Sequence, residues 1–445
     1  MAEAENKNNS SPELRRPSGL RGMLRSLRHR NFQLFFSGQL ISLIGTWMQN
    51  IAQAWLVYRL TGSSLQLGLV GFAGQIPVFL FAPLGGMVAD RWNRHRVVIG
   101  TQTASMILAF ILAALTLLHI VRVWEIVLLA SLLGAVNGFD IPARQSFLID
   151  MVGREDLMNA IALNSSMFNG ARVIGPAVAG LLVAWIGEGW CFFANAVSYI
   201  AVIIGLLLMT LGPMRQFAME TSPLEHITEG FRYVERTKPI LAIMLLIGLV
   251  SLVAVPYTVL MPIFADRILH GGARGLGILM GATGIGALLG ALTLATRHGV
   301  HGLGRWVGFS ALSFGVSLIL FSFSKWFLVS MILLVPVGYS LMLQMSSCNT
   351  LIQAMVPDEL RGRIMAVYTM MFMGMAPMGA LFAGTIADRI GAPWTVAIGG
   401  LGAVVGSIIF LRKISKLRFE ARQLIVQQGL GGGEPLEEMS ARGIS

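Results

Sequence analysis

The sequence predicts an all-α polytopic membrane protein, with twelve transmembrane helices arranged as two six-helix pseudo-repeats. Three observations carry this. Of 445 residues, 55% are hydrophobic and only 12% charged, and mean hydropathy is +0.71; a soluble chain would carry roughly a quarter charged residues. Apolar runs of about 20 residues, the length that crosses a bilayer as a helix, recur along the chain. The second half also repeats residues of the first at a constant offset.

Taken in order, the spans fall at 32–58, 65–89, 97–118, 124–140, 161–186, 190–212, 240–264, 275–295, 306–324, 326–347, 364–387 and 394–411. Lipid offers no partners to backbone N–H and C=O groups, so each span must be helical. The runs are too long for the alternating strands of a barrel. Before them lies a basic tail, 1–31, in which Leu20, Met23, Leu24 and Leu27 recur at helical spacing among arginines, as in an interfacial helix lying on a membrane surface. The first run is too long and too polar for a signal peptide, so no cleavage is expected. The two halves, 32–212 and 240–411, are joined by a linker, 213–239. There Ser222, Pro223 and Glu225 form a helix start, followed by Leu224, Ile227, Phe231 and Val234 along one side. A tail, 412–445, closes the chain; from Gly429 it is rich in Gly and Glu and is expected to be disordered.

With the N-terminus in the cytoplasm, 26 of the 33 Lys and Arg residues fall on inner segments and six on outer loops. The remaining one, Arg172, lies inside the fifth helix. This asymmetry places both termini in the cytoplasm, and the expected location is a cell's inner (cytoplasmic) membrane. The +11 charge is thus a matter of orientation, and no nucleic-acid partner is expected. Cys191 and Cys348 lie in different halves without His or Cys at metal-ligand spacing, so neither a disulfide framework nor a metal site is implied. No Gly-Lys pair exists to form a phosphate loop, so the chain should not hydrolyse ATP, and no cofactor or enzymatic constellation is expected.

At an offset of 204, Met151-Val152 falls on Met355-Val356, Glu155 on Glu359, Ala162 on Ala366, Gly175 on Gly379, Gly180 on Gly384 and Ile186-Gly187 on Ile390-Gly391. Helices five and eleven are therefore counterparts. Parallel repeats of this kind belong to transporters whose substrate site lies between the halves.

The loop after helix two reads Gly86-Met-Val-Ala-Asp90-Arg91-Trp92-Asn93-Arg94-His95-Arg96. It resembles the signature G-x-x-x-D-R-x-G-R-R of the major facilitator superfamily, with Asn93 in place of the second glycine, a residue that tolerates left-handed backbone. The resemblance implies a cytoplasmic latch in which Asp90 meets the start of helix eleven near Gly362 and Arg363. The rival reading is a basic loop that only sets orientation. Gly384-Thr-Ile-Ala-Asp388-Arg389-Ile390-Gly391 spells a similar pattern at the opposite end of a helix and is set aside as a false match. In helix five, Gly170, Arg172, Gly175, Pro176 and Gly180 resemble a loose form of the Gly-Pro motif of facilitator-type antiporters, which seals a half against its neighbour; ordinary close packing is the alternative. With Trp47 to Tyr58, Leu60 to Ser63 and Glu359 to Arg363, the wording is similar to the branch that includes the bacterial enterobactin exporter. That implies secondary efflux of small molecules.

Ser42, Thr46, Gln49, Asn50 and Gln53 share one face of helix one, Ser340, Gln344 and Ser347 one of helix ten, and Tyr257 and Thr258 lie in helix seven. In the superfamily, helices one, four, seven and ten line the cavity, so these residues are candidates for it. The alternative is that the amides hold helices together. Asn169 and Arg172 complete the substrate candidates, with Arg172 expected to attract an acidic part of the substrate. No carboxylate lies between Glu13 and Asp90. Asp140, near Arg144, is a candidate protonation site, although pairing with Arg91 or Arg144 to lock the gate ranks ahead of it. The gating candidates are thus Asp90, Arg91, Arg94, Arg96, Asp140, Arg144, Gly175, Pro176, Gly180 and Arg363. The function expected is proton-coupled export of a small amphipathic, acidic, siderophore- or drug-like compound by a monomer in the bilayer. An importer, a lysolipid flippase and a non-transporting scaffold or sensor are the alternatives.

Overall fold

The computed structural model describes residues 24–211, 223–296 and 302–427, with no strand among them. The membrane helices are α1 (Arg30–Thr61), α2 (Ser64–Arg91) and α3 (Arg94–Leu117). Val123–Ile186 follows as one 64-residue run broken at Gly153, whose φ of 73° leaves the helical region, so its arms are α4 (123–152) and α5 (154–186). Then come α6 (Glu188–Leu207), a linker helix (Pro223–Arg236) and α7 (Lys238–Ile268), the last interrupted at 254–256 and ending in a π-helical turn, Phe264–Ile268. Helices α8 (Gly272–Ala295), α9 (Leu303–Phe323), α10 (Phe327–Met355), α11 (Asp358–Ile390) and α12 (Ala392–Gln427) complete the set.

Ten helices among the described residues are long and apolar enough to span a membrane by length and composition. Val123–Ile186 counts once among them although it contains two spans, and α1 falls short because Gln49, Asn50 and Gln53 dilute its apolar run. With both considered, the spans number twelve. This even number brings the start of α1 and the end of α12 to one side, here termed the basic face; the other is the far face.

The repeat offset is realised in packing. Gly175 of α5 lies against α1 at Ile44, Trp47 and Met48, and Gly379 of α11 lies against α7 at Leu252 and Pro256. Gly187 and Gly391 end the two counterpart helices with φ of 84° and 88°, the left-handed region that favours glycine. Two seams join the halves, α2 with α11 and α5 with α8, and both are tight toward the far face. A methyl group on Gly180 would stand 2.7 Å from the Cα of Gly277, and one on Gly68 would stand 2.6 Å from the carbonyl oxygen of Ala380.

Toward the basic face the same seams part. A cavity of about 700 Å³ separates α2 and α4 from α11, and one of about 610 Å³ lies among α5, α8 and α10. The molecule is thus closed at one face and open at the other.

Several segments depart from expectation. Of the basic tail, Gly19 to Met23 lie outside the described residues, as do Ser222 and the chain from 428. Arg25–Arg28 forms a 3₁₀ turn rather than an amphipathic surface helix, because α5 anchors it: Arg25 pairs with Asp156 at 2.6 Å, and the Ser26 amide donates to Asn159 Oδ1 at 2.9 Å. Helix α4 runs on to 152 because Arg94 ties Asp150 to the loop. Helix α12 runs on to Gln427 because Ile414, Leu417, Ala421 and Leu424 keep packing on the core.

Candidate functional site

Arg172 lies midway along α5, where the halves meet. Its Cζ stands 5.9 Å from the ring centroid of Trp47, and Trp47 also meets Phe168 edge-on at 5.7 Å. Glycine at 175 allows α1 to come close enough for this stack. From the other half, Gly284 of α8 abuts the Arg172 backbone, and Tyr257 of α7 lies within electrostatic range of the guanidinium. The Tyr257 hydroxyl is buried, with Thr283 of α8 as its polar neighbour. Arg172 makes no side-chain hydrogen bond or ion pair among the described residues. A cation without a hydrogen-bonding partner and a buried phenol from opposite halves thus converge.

The remaining candidates divide. Gln49 is buried, and its Oε1 accepts from Asn195 Nδ2 at 2.7 Å, tying α1 to α6 inside the first half; Ser42 is buried there too. That end of the stripe is helix glue. Asn50 is exposed three residues beyond Trp47, Gln53 is half-buried, and neither side chain forms a hydrogen bond among the described residues. Asn169 donates to the Ser165 carbonyl at 2.9 Å and lines the 610 Å³ cleft with Ser346 and Thr350. Gln344 departs from expectation: it is 1% exposed, lines neither cleft, and its amide has no hydrogen bond. Ser340 bonds Ser313 of α9 at 2.9 Å, so that end of the α10 stripe turns into its own half.

The far face carries contacts that sequence reading missed. Tyr58 donates to Asp266 Oδ2 at 2.7 Å, Arg267 donates to the Gly62 carbonyl at 3.0 Å, and Ser63 donates to Asp388 at 3.3 Å. Each joins the first half to the second. The π turn of α7 presents Asp266, in keeping with the frequent use of such turns at functional sites. Asp388 belongs to the stretch set aside as a false match, and no local pattern in the sequence marks its partner Ser63.

On the basic face, Arg94 holds the loop to the first half, donating to Ala89 O at 3.1 Å, Ser146 O at 3.3 Å and Asp150 at 3.3 Å. Asn93 adopts φ of −64°, not a left-handed conformation, and its side chain caps α3. Asp140 accepts from Thr101 at 2.7 Å and Gln102 at 2.9 Å and pairs with Arg144 at 3.3 Å. All are in the first half, so this carboxylate ties α3 to α4 and does not bridge the halves. Asp90 and Arg363 line the 700 Å³ cavity; Asp90 is 4.0 Å from Arg94, and Arg363 pairs with Glu229 of the linker helix. The expected latch is parted in this state. Gly175, Pro176 and Gly180 form the surface of α5 that meets α1 and α8.

Residues 21–431 match the family model described as transmembrane secretion effector. The staphyloferrin A transporter of Staphylococcus aureus is 27% identical over 391 residues, covering 87% of this chain and 97% of its own. The enterobactin exporter EntS of Citrobacter koseri is 27% identical, covering 88% and 93%. The multidrug efflux pump Tap of Mycolicibacterium fortuitum is also 27% identical, covering 78% and 87%. Among solved structures, a D-xylose–proton symporter superposes with a TM-score of 0.66 at 12% identity, covering 87% of this chain and 96% of its own, a likeness of fold.

Proposed function

Because the chain belongs to the transmembrane secretion effector family of major facilitator transporters, we propose that it exports a small amphipathic compound bearing an acidic group, driven by protons. The observation that carries this reading is Arg172 at the junction of the halves, stacked on Trp47, without a hydrogen bond or ion pair among the described residues and within electrostatic range of Tyr257. A planar guanidinium grips a carboxylate or catecholate with two parallel hydrogen bonds, and Trp47 offers the apolar part of the ligand a flat surface.

The basic face is taken as cytoplasmic, so the open clefts admit substrate from inside the cell or from the inner leaflet. Rocking of the halves then closes the basic face, with Asp90 meeting the start of α11, and parts the far seam. Asp266 is the carboxylate placed to couple a proton to that step, since protonation would weaken its acceptance from Tyr58 across the halves. Siderophore-like acids are the favoured substrates, and the relatives that carry siderophore names lend that choice support.

Transport into inside-out vesicles, with and without a proton gradient, tests the reading. A catecholate acid, a neutral amphipathic drug and a lysolipid serve as probes. Gradient-dependent accumulation of the acid is expected. Accumulation that ignores the gradient, or uptake of the lysolipid alone, would overturn it.

A further inference from the structure

A second cavity, of about 700 Å³, lies outside the cleft between the halves. Only α2, α3 and α4 line it, and α3 packs on α4 and α6 of its own half, so the groove opens toward lipid. Arg91, Trp92 and Arg96 stand at its basic-face end, while Val97, Gly100 and Phe139 form part of its floor. We propose that this groove binds an anionic phospholipid, with the phosphate on Arg91 and Arg96 and an acyl chain along the floor.

Charge argues first. Arg91 and Arg96 are exposed, and neither side chain makes a hydrogen bond or ion pair among the described residues. The neighbouring Arg94 and Arg144 are both paired. No Asp or Glu lines the groove, and its other polar side chains are engaged, Asn93 in capping α3 and Thr101 in bonding Asp140. Two arginines five residues apart with no counter-ion form a site for an anion, and the guanidinium fork matches phosphate oxygens.

Position selects the kind of anion. The arginines sit at the ends of two membrane helices, at headgroup depth, and Trp92 is 68% exposed beside them, as aromatic residues are at membrane interfaces. A free phosphate would leave the apolar floor bare, whereas a phospholipid covers both parts. At Gly100 a side chain would meet nothing within 4 Å, so the floor is open toward the bilayer. The proposal does not depend on what the chain transports.

The full-length protein, purified in detergent, is titrated with phosphatidylglycerol or phosphatidylcholine, and bound lipids are counted by native mass spectrometry. Wild type should retain phosphatidylglycerol in preference to phosphatidylcholine. The double variant Arg91→Gln/Arg96→Gln should lose about tenfold in apparent affinity for it, in line with the attraction of paired basic residues to anionic lipid. Gly100→Leu fills the groove without touching an arginine and improves helix propensity, so it should fold normally and bind phosphatidylglycerol more weakly. Unchanged retention in either variant, equal retention of the two lipids by wild type, or displacement of the lipid by millimolar inorganic phosphate would overturn the proposal.

Discussion

At Arg172, two energies oppose each other. A guanidinium at membrane depth costs several kcal/mol, and a stack on Trp47 returns about 1–2 kcal/mol. The remainder is a standing demand for an anion or water. Arg172→Lys keeps the charge but loses the fork and the flat stacking surface. It should keep the fold and reduce transport of acidic substrates at least several-fold more than of neutral ones. Equal loss for both classes, or wild-type transport by Arg172→Gln, would reduce Arg172 to a packing residue. Gln49 and Asn50 supply an internal contrast. Removing Gln49 deprives the Asn195 Nδ2 donor of this acceptor in the bundle, so Gln49→Ala should lower thermal stability, with roughly 1 kcal/mol expected from model helices. Asn50→Ala should leave stability alone and change apparent substrate affinity. Thermal melts alongside transport kinetics separate the two. Helical period showed that these residues share a face of α1, but not whether α6 or the cavity covers each part of it. Arg172 stood out in the sequence because a lone charge in an apolar run has few structural uses.

At the scale of elements, the α5–α8 and α2–α11 seams hold the far face shut. That α5 and α11 are counterparts was legible because the offset of 204 places Gly175 and Gly180 over Gly379 and Gly384; that they pack on α8 and α2 was not, since a repeat names no partner helix. The break and π turn of α7 were not legible, because hydropathy reads the segment as one uniform span, and Asp266 and Arg267 therefore passed as loop charges. Their partners, Tyr58 and Gly62, lie about two hundred residues away, beyond any local pattern. The seam predicts two variants with one direction. Gly180→Ala would drive a methyl group into Gly277, and Tyr58→Phe would remove a hydrogen bond to a carboxylate, an interaction of about 1.5–3 kcal/mol. Both should shift the population toward a far-open state. A cysteine placed at Ser64, buried between α2 and α11, reports this through its labelling by a membrane-impermeant maleimide. Labelling should quicken several-fold in each variant, and an unchanged rate in folded protein would count against the seam as a gate.

Across the whole molecule, the far face is sealed and the basic face open, one of the two states that the proposed cycle requires. The proposed latch would form only with this cavity closed, since Asp90 and Arg363 stand on opposite walls of it here. Contact between the Asp90 carboxylate and the start of α11 should contribute roughly 1 kcal/mol to the basic-closed state. Asp90→Asn should therefore enrich the conformation seen here by a few-fold, raising the labelling of a cysteine at Met370 on the cavity wall. Equal labelling in mutant and wild type would leave the loop with orientation as its only task.

On the proposed cycle the halves rock about Arg172 so that the two faces open in turn. Paired spin labels test it most directly, in a protein whose native Cys191 and Cys348 have been replaced. One pair, at Ile120 and Lys325, spans the far face, and the other, at Arg154 and Arg305, spans the basic face; all four positions are exposed. Distances measured by pulsed electron resonance at neutral and acidic pH, with and without an acidic amphipathic substrate, should change in opposite senses, the far pair lengthening as the basic pair shortens. Arg172→Gln should remove the response to substrate while preserving the response to pH. Distances that stay fixed under every condition, or that lengthen together, would contradict the account.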